Sequence, residues 1–309
     1  MTIDVKKINT NPNKYYGFND YSNDYEEIPQ LLSPNNVDNL VNFNLSQMQF
    51  DTIVDNIKKT YKSIFDYLVD EYKIDLSTLT TVNKILLFSK SFVMTDFKEG
   101  GGDLGHYEFN EVYIDDRASD ALQITTLIHE LSHFLIAEIL EQIVCELLNT
   151  NKTDAVEAFV CYLLSNDILN ELIDEYCAHT VEGRFAPFGY QDYGSYEKFL
   201  SLCLNDYTEE HIQVANTIGN TFAIYIKDIM SSFIDKRIRD EIKLEFNKIN
   251  DSPQFSGLKY ETRDKMEWQR FSRAIQLMLT GNLEDYISNP QDMEKLEKYT
   301  VKFREVNQE

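Results

Sequence analysis

The sequence has few basic residues and no long apolar segment. Its 309 residues include 29 lysines and arginines against 52 aspartates and glutamates, for a formal net charge of -23. Such a negative field repels nucleic-acid phosphates and anionic membranes, so we expect neither as a partner. No stretch approaches the roughly 18 uninterrupted apolar residues of a membrane span. A peptide or protein partner, neutral or basic, fits this charge better, and the sequence indicates no particular oligomeric state.

Cysteine pairs of the C-x-x-C type are absent, which argues against a zinc ribbon. The four cysteines stand among apolar residues and are typical of small core side chains: Cys145, Cys161, Cys177 and Cys203. The first residues lead into a polar stretch rich in Asn, Tyr and Asp, without the apolar core of a signal peptide. Together with reduced thiols, this predicts a cytoplasmic protein.

The most informative feature present is an H-E-x-x-H motif, formed by His129, Glu130 and His133 within an apolar segment. On a helix, positions i and i+4 project from the same face, so two imidazoles can hold one Zn²⁺ while Glu130 reaches the metal's water. Burying these polar groups is costly unless they have partners, and a metal is one such partner. The alternative is an amphipathic helix with two hydrogen-bonded histidines.

Strand-like segments precede the motif. Lys84 to Phe88 is an apolar run, and the chain from Gly105 to Asp116 alternates apolar and polar residues. Gly100-Gly101-Gly102 supplies a flexible turn between them. We therefore expect two strands before the motif helix.

This order of strands followed by an H-E-x-x-H helix resembles the zincin metallopeptidases over about residues 82 to 190. The resemblance implies an α+β fold that is mostly helical, with a zincin-like core, a small mixed β-sheet, the active-site helix and a helical C-terminal lobe. It also implies that the edge strand beside the metal binds an extended peptide through main-chain hydrogen bonds.

A catalytic zinc normally has three protein ligands. The glycine and third histidine of metzincins do not follow His133. The segment from Asp174 to His179 resembles the N-E-x-x-S-D segment of thermolysin-like gluzincins, which implies Glu175 as the third ligand. In that family the last aspartate orients a zinc-bound histidine. Here His179 stands in its place.

Other residues compete for the third-ligand position. Glu157 lies closer to His133 in sequence, and His179 is itself a possible ligand. Glu138, five residues past His133, rotates off the ligand face. Glu175 could also be an ordinary solvated carboxylate of a helix.

The chemistry implied is peptide hydrolysis by a zinc-activated water, with Glu130 as the general base. A donor must stabilise the oxyanion, and His179 is our first choice. The full set of candidate donors is His106, His179, Arg184, Tyr190 and Tyr193. The Gly- and aromatic-rich segment 182–194 is typical of a loop that caps a cleft.

We divide the chain into an N-terminal arm and backing helix (1–80), a zincin-like catalytic core (81–194) and a helical C-terminal lobe packed on the core (195–309). Helical spacing of apolar residues predicts a short helix after Ser33, the backing helix over about 46–73, and a helical segment over 153–180 with a break near Ser165-Asn166-Asp167. Further helices are predicted over 195–204, 207–234, 236–249, 258–280 and 290–304.

Three functions are compatible with these features. The first is a zinc-dependent peptidase, favoured because ligands and a base occur together. The second is a catalytically inactive zincin-fold binding protein, in which Glu130 would serve no purpose. The third is an acidic protein-interaction module whose binding does not depend on metal.

Overall fold

The computed structural model describes residues 27–87, 92–95, 104–115, 117–186, 193–248 and 258–308. These residues are mostly helical and contain a small β-sheet, which confirms the predicted α+β class. The predicted N-terminal arm lies largely outside them, as does the predicted flexible turn at residues 100–102. Of the described helices, none is long and apolar enough to cross a membrane.

The elements up to the motif helix are α1 (Glu27–Leu31), α2 (Pro34–Val41), α3 (Gln47–Glu71), α4 (Thr81–Leu86), β1 (Phe92–Thr95), β2 (Gly105–Glu108), β3 (Glu111–Asp115) and α5 (Asp120–Leu148). The elements after it are α6 (Asp154–Asn166), α7 (Ile168–Phe185), α8 (Gly194–Asp206), α9 (Glu209–Met230), α10 (Lys236–Asn247), α11 (Trp268–Thr280), α12 (Leu283–Ser288) and α13 (Pro290–Gln308).

Serines precede α2 and α3 at the predicted places, although the Ser33 side chain makes no cap hydrogen bond. Ser33 precedes α2, whose first residue is a proline, and Ser46 forms a capping box with Gln49 at the start of α3. The apolar face of α3 is buried from Phe50 to Leu68 except for Phe65, which is half-buried, whereas Tyr72 is exposed. The backing helix therefore packs on the core, with contacts to α5 and α9.

The predicted strand from Lys84 to Phe88 is wrong, because residues 81–86 form helix α4. The Thr80 side chain caps this helix by accepting a hydrogen bond from the Asn83 backbone N–H. A short continuous apolar run does not distinguish a buried strand from a buried helix, and here the cap favours the helix.

The second predicted strand is a hairpin. β2 and β3 are antiparallel, with Glu108 opposite Glu111, and β1 pairs with β3 in parallel to give the order β1-β3-β2. Phe109 and Asn110 form the turn with φ of 46° and 66°. Both central residues of this tight turn have positive φ, which asparagine tolerates well and phenylalanine does not. Within the described sheet, β2 is an edge strand that lies on α5.

The predicted helix break is confirmed at Asp167, which separates α6 from α7. Its carboxylate accepts hydrogen bonds from the Leu169 and Asn170 backbone N–H groups and so begins α7. α7 packs against both α5 and α9. At the contact with α9, a Cβ added at Gly219 would come within 2.7 Å of the Ile173 carbonyl oxygen, so this close helix approach requires a glycine.

The C-terminal region is helical as predicted, with two differences. Residues 258–267 precede α11 without forming a helix, and α12 is an additional short helix. Gly281 is the C-cap of α11. Buried side chains from α1 to α13 belong to one hydrophobic core cluster.

An aromatic cluster joins the backing helix to the C-terminal helices. The Phe50 ring on α3 lies 4.9 Å from Tyr225, 5.3 Å from Trp268 and 5.7 Å from Phe271, measured between ring centroids. The contacts with Tyr225 and Phe271 are edge-to-face and that with Trp268 is tilted, and such aromatic pairs stabilise both elements.

Candidate metal centre

The motif histidines project from one face of α5 and meet. The Nε2 atoms of His129 and His133 are 3.1 Å apart, and the two side chains are 12% and 11% exposed. The helix places them one turn apart, as the motif spacing predicts. Two ligands of one tetrahedral zinc, each about 2.0–2.1 Å from the metal, would be separated by about 3.3 Å.

Each motif histidine has a carboxylate on its other ring nitrogen. His133 Nδ1 lies 2.9 Å from Asp174 Oδ2, and His129 Nδ1 lies 3.4 Å from Glu182 Oε2. A proton on each Nδ1 satisfies these carboxylates and leaves both Nε2 lone pairs facing each other. Two facing lone pairs repel unless a cation or a proton lies between them. The arrangement therefore presents a ready pair of metal ligands.

Glu175 completes the group from α7. Its Oε2 atom is 3.5 Å from His129 Nε2, and its Oε1 atom is 4.0 Å from His133 Nε2. His179, one turn further along α7, brings its Nε2 atom to 3.7 Å from Glu175 Oε2. Ligand atoms of His129, Glu175 and His179 all lie within 4.8 Å of one another, so this buried group could hold a metal ion. There are thus two alternative sets of three ligands. Both contain His129 and Glu175, and the third ligand is His133 in one set and His179 in the other.

Glu157 and Glu138 lie in a different cluster. Glu157 accepts hydrogen bonds from Asn110 and Asn307 at 2.8 and 2.6 Å, and Glu138 pairs with Lys152 at 2.6 Å. Neither carboxylate faces the histidines. Of the two competing third ligands, His179 lies at the centre, whereas Glu157 lies in the cluster with Asn110 and Asn307.

Glu130 lies beside the histidines and points into the same cleft. It is 6% exposed, lines the cavity and forms no hydrogen bond or ion pair with a described residue. Burial raises the pKa of its carboxyl, although the charges of His129 and His133 oppose that rise. A buried carboxylate with no fixed partner is suited to accept and release a proton.

The charges of the centre depend on one another. Burial disfavours the charged form of His129, yet its contacts with Glu175 and Glu182 outweigh burial and raise its pKa well above the ordinary value. For His133, burial is likewise outweighed by Asp174, and the pKa rises to about 9. Burial would raise the pKa of Glu175, but His129 and His133 hold it well below its usual range. Without a metal, protons therefore supply the positive charge that these carboxylates attract.

Ser195 links two of the candidate ligands. Its hydroxyl group donates a hydrogen bond to Glu175 Oε2 at 2.7 Å and lies 2.8 Å from His179 Nε2. The Nδ1 atom of His179 is 3.5 Å from Glu182 Oε2. Burial, together with the charge of His129, lowers the pKa of His179, which favours a neutral ring that can donate through one nitrogen.

Sequence reasoning missed Asp174, Glu182 and Ser195. Glu182 follows Glu175 by seven residues, which is two helical turns, so helix periodicity was the available signal. The orienting position inferred from the thermolysin-like segment holds His179, and the contacts with the outer histidine nitrogens are made instead by Asp174 and Glu182. Ser195 comes from α8, after the loop, and no spacing pointed to it.

The other candidate oxyanion donors differ in position. His106 lines the cleft and stacks on Tyr113 at 4.4 Å, whereas Arg184 donates to Asn220 Oδ1 at 2.8 Å and does not line the cleft. The Tyr193 ring lies 5.1 Å from the His179 ring. Tyr190 and the middle of the predicted capping loop, residues 187–192, lie outside the described residues. The loop prediction is wrong for residues 182–185, which form the last turn of α7.

The centre opens into a cleft of about 510 Å³. α5 forms its floor, the edge strand β2 one wall and α7 the other. A Cβ added at Gly105 would overlap the Thr126 methyl group and the Tyr113 carbonyl oxygen, and would lie 3.5 Å from Glu130 Oε1. The absence of a side chain at Gly105 therefore lets β2 approach the motif helix directly above Glu130.

No protein-family model matches this chain, and neither the curated proteins nor the solved structures that were searched gave a match.

Proposed function

We propose that this chain is a zinc-dependent metallopeptidase, with His129, His133 and Glu175 as metal ligands and Glu130 as the general base. The observation that carries the proposal is the convergence of two Nε2 lone pairs and one carboxylate beside a buried carboxylate without a partner. Imidazole and carboxylate ligands in this number are those of a catalytic zinc with an open position.

Zinc bound here would supply Lewis-acid chemistry, lowering the pKa of a water from about 16 to about 7 and polarising a carbonyl group. The chain's residues supply the proton transfers and the geometry. Glu130 would take the proton from the attacking water and deliver it to the leaving amine. Asp174 and Glu182 hold the rings of His133 and His129 in position. His179, with Ser195 beside it, is the proposed donor to the oxyanion.

A peptide or protein substrate is supported by the shape of the cleft. β2 runs along its wall as an edge strand of the described sheet, so its outer backbone groups can pair with an extended chain. Gly105 brings that strand close to Glu130, which would set a bound peptide beside the base. A cytoplasmic location stays a prediction of the sequence.

Catalysis is favoured over an inactive binding protein because of Glu130. Keeping a carboxylate 6% exposed without a hydrogen bond costs stability, and a metal site used only for binding does not require it. A base beside an activated water does require it.

Metal analysis of purified variants tests the proposal. We expect about one zinc per chain, with zinc lost in His133→Ala and Glu175→Ala and retained in His179→Ala and in the control Glu197→Ala, an exposed carboxylate of α8. Glu130→Gln should keep zinc and reduce peptide cleavage by about 10²–10⁴-fold. Zinc lost in His179→Ala but kept in His133→Ala would establish the other ligand set. Undiminished cleavage by Glu130→Gln would reject Glu130 as the base.

A further inference from the structure

The cleft extends beyond the candidate metal centre. α5 and α7 run antiparallel, because Glu182 meets His129 whereas Asp174 meets His133. The first turns of α7 therefore lie beside the later turns of α5, on the far side of His133. We call this part the distal half of the cleft; it is lined by Ala137, Glu141, Cys161, Leu164, Ser165 and Glu171.

Acidic side chains line the cleft, and no described lysine or arginine does. The lining carboxylates are Glu108, Glu130, Glu141, Glu171, Asp174, Glu175 and Glu182. Four of them belong to the metal centre, and Glu141 pairs with Lys152 from behind the wall. Glu108 and Glu171 are left to face a substrate. A bound divalent cation would offset only part of this charge.

Of the two carboxylates in the distal half, Glu141 pairs with Lys152, whereas Glu171 has no ion pair with a described residue. It lies one turn before Glu175 and is half-buried, and its side chain forms no hydrogen bond or ion pair with a described residue. Burial, together with the charge of Glu175, raises its pKa to about 7, although the charge of Lys198 opposes that rise. A cation placed beside it would relieve both effects. Glu130, whose buried side chain also has no hydrogen-bond partner among the described residues, lines the same cavity beside the metal ligands.

Aromatic rings adjoin the distal half. Tyr107, Phe109, Tyr299 and Phe303 line the cavity, with Phe109 packed edge-on against Tyr299 at 5.1 Å and Phe303 at 5.2 Å. An apolar and aromatic wall suits the alkyl stem of a long basic side chain. Its charged end is then attracted by the carboxylates, because the Tyr299 ring already has the Lys295 Nζ atom 5.5 Å from its centroid. An acidic side chain would meet repulsion from the same groups.

We propose that the distal half of the cleft binds a lysine or arginine side chain of the peptide substrate, with Glu171 as the carboxylate that pairs with its charge. This inference rests on the proposed peptidase function and names its substrate class. The net charge of -23 acts in the same direction, because it draws basic chains toward the protein. The net charge attracts basic chains to the whole surface, whereas Glu171 selects a basic side chain at one position in the cleft.

The test begins with the zinc-loaded chain and an equimolar library of random peptides, with the cleaved bonds identified by mass spectrometry. Lysine and arginine should be enriched, and aspartate and glutamate depleted, at one fixed position relative to the cleaved bond. A cleaved peptide is then made with lysine or norleucine at that position. The ratio of their kcat/KM values should fall about tenfold in Glu171→Gln. It should stay unchanged in Glu197→Gln, which alters the net charge equally.

A charge reversal sharpens the test. Glu171→Lys should shift the preference at the same position from lysine toward glutamate. Cleavage without preference for basic residues, or a lysine preference that survives in Glu171→Gln, would overturn the inference while leaving the peptidase function intact.

Absence of all cleavage would count against the proposed function itself. Binding then decides the inference separately, with two fluorescein-labelled octapeptides that differ in one central lysine or glutamate. Tighter binding of the lysine peptide, lost in Glu171→Gln and kept in Glu197→Gln, supports the subsite. Equal binding of the two peptides rejects it.

Discussion

Lys152 is a buried cation that holds three carboxylates near the cleft. Its Nζ atom contacts Glu141, lies 2.6 Å from Glu138 and 3.5 Å from Glu157, and the side chain is 9% exposed. Burial opposes its charge, but the three glutamates outweigh burial and raise the pKa of Lys152 well above the ordinary value. The Lys152 ammonium group therefore stays protonated, because the negative charges of the three glutamates stabilise it.

Replacing this lysine leaves buried negative charges without a partner. We expect Lys152→Met to lower the free energy of unfolding by about 3–5 kcal/mol, measured by urea denaturation. The control Lys298→Met removes an exposed pair with Glu294 and should change little. Equal stability of both variants would show that the buried cluster is less desolvated than the structure indicates.

Protons and metal compete for the same two rings. Without metal, the pKa of His133 is about 9 and that of His129 is well above its ordinary value. Below these values a proton must leave as zinc binds, so zinc affinity should rise with pH by at least tenfold per unit from pH 6 to 8. Competition with a chelator of known affinity measures this dependence. Histidines with the ordinary pKa near 6.5 would give a plateau above about pH 7 instead.

The same shift affects stability in the metal-free chain. A histidine whose pKa is raised by folding stabilises fully below its unfolded value near 6.5, and that contribution disappears as the pH rises through about 9. We therefore expect the melting temperature of the metal-free chain to fall between pH 6.5 and 9. A chain loaded with zinc should show a smaller fall, since both rings are already deprotonated.

Part of the centre could be predicted from the sequence because helix periodicity is visible there. His129, Glu130 and His133 are separated by local spacing alone, and Glu175 followed from a short segment resembling a known one. The partners Asp174 and Ser195 depend on how α7 and α8 pack against α5, which is a tertiary property. Carboxylates and hydroxyls are common on helices, so no pattern singles these two out.

At the scale of elements, capping residues made the helix boundaries predictable, whereas the hairpin has no comparable signal in its turn. Asp167 is the N-cap that marks the break between α6 and α7, and Ser46 is the N-cap that marks the start of α3. The hairpin was missed because its turn is Phe109-Asn110 rather than a pair containing glycine. Packing against Phe303 and the hydrogen bond from Asn110 to Glu157 hold this turn, and both contacts are remote in sequence.

The approach of β2 to α5 depends on a missing side chain. Gly105→Ala would force the strand away from Thr126 and Glu130, because the added Cβ overlaps both neighbouring elements. Zinc content should remain near one per chain, since the ligands lie on α5 and α7, while peptide cleavage should fall at least tenfold. The control Leu244→Ala, at an exposed position of α10 that does not line the cleft, should leave both unchanged. Normal cleavage by Gly105→Ala would mean that β2 does not position the substrate.

At the scale of the whole molecule, one core links the proposed catalytic region to the C-terminal helices. α7 carries Glu175 and packs extensively on α9, and the Tyr176 hydroxyl group accepts a hydrogen bond from the Thr262 backbone N–H at 2.8 Å. The proposed division at residue 195 therefore marks no break in packing. Buried residues on both sides of it belong to the same cluster.

A shared core predicts cooperative unfolding. Heating the zinc-loaded chain should give one transition, with helix loss by circular dichroism and zinc release by a chromogenic chelator at the same temperature. Excess zinc should raise that temperature, because the metal binds the folded state. Two separate transitions would instead identify the C-terminal helices as an independent unit.

Trp268 gives the molecule a built-in optical reporter. It is the single tryptophan of the chain, and it packs against Phe50 and Phe271 without lining the cleft. Its fluorescence should therefore report on the packing of α11 against α3 and stay nearly constant during metal or peptide titrations. Emission at this one indole thus separates damage to the scaffold from events at the reactive centre, in every variant described above.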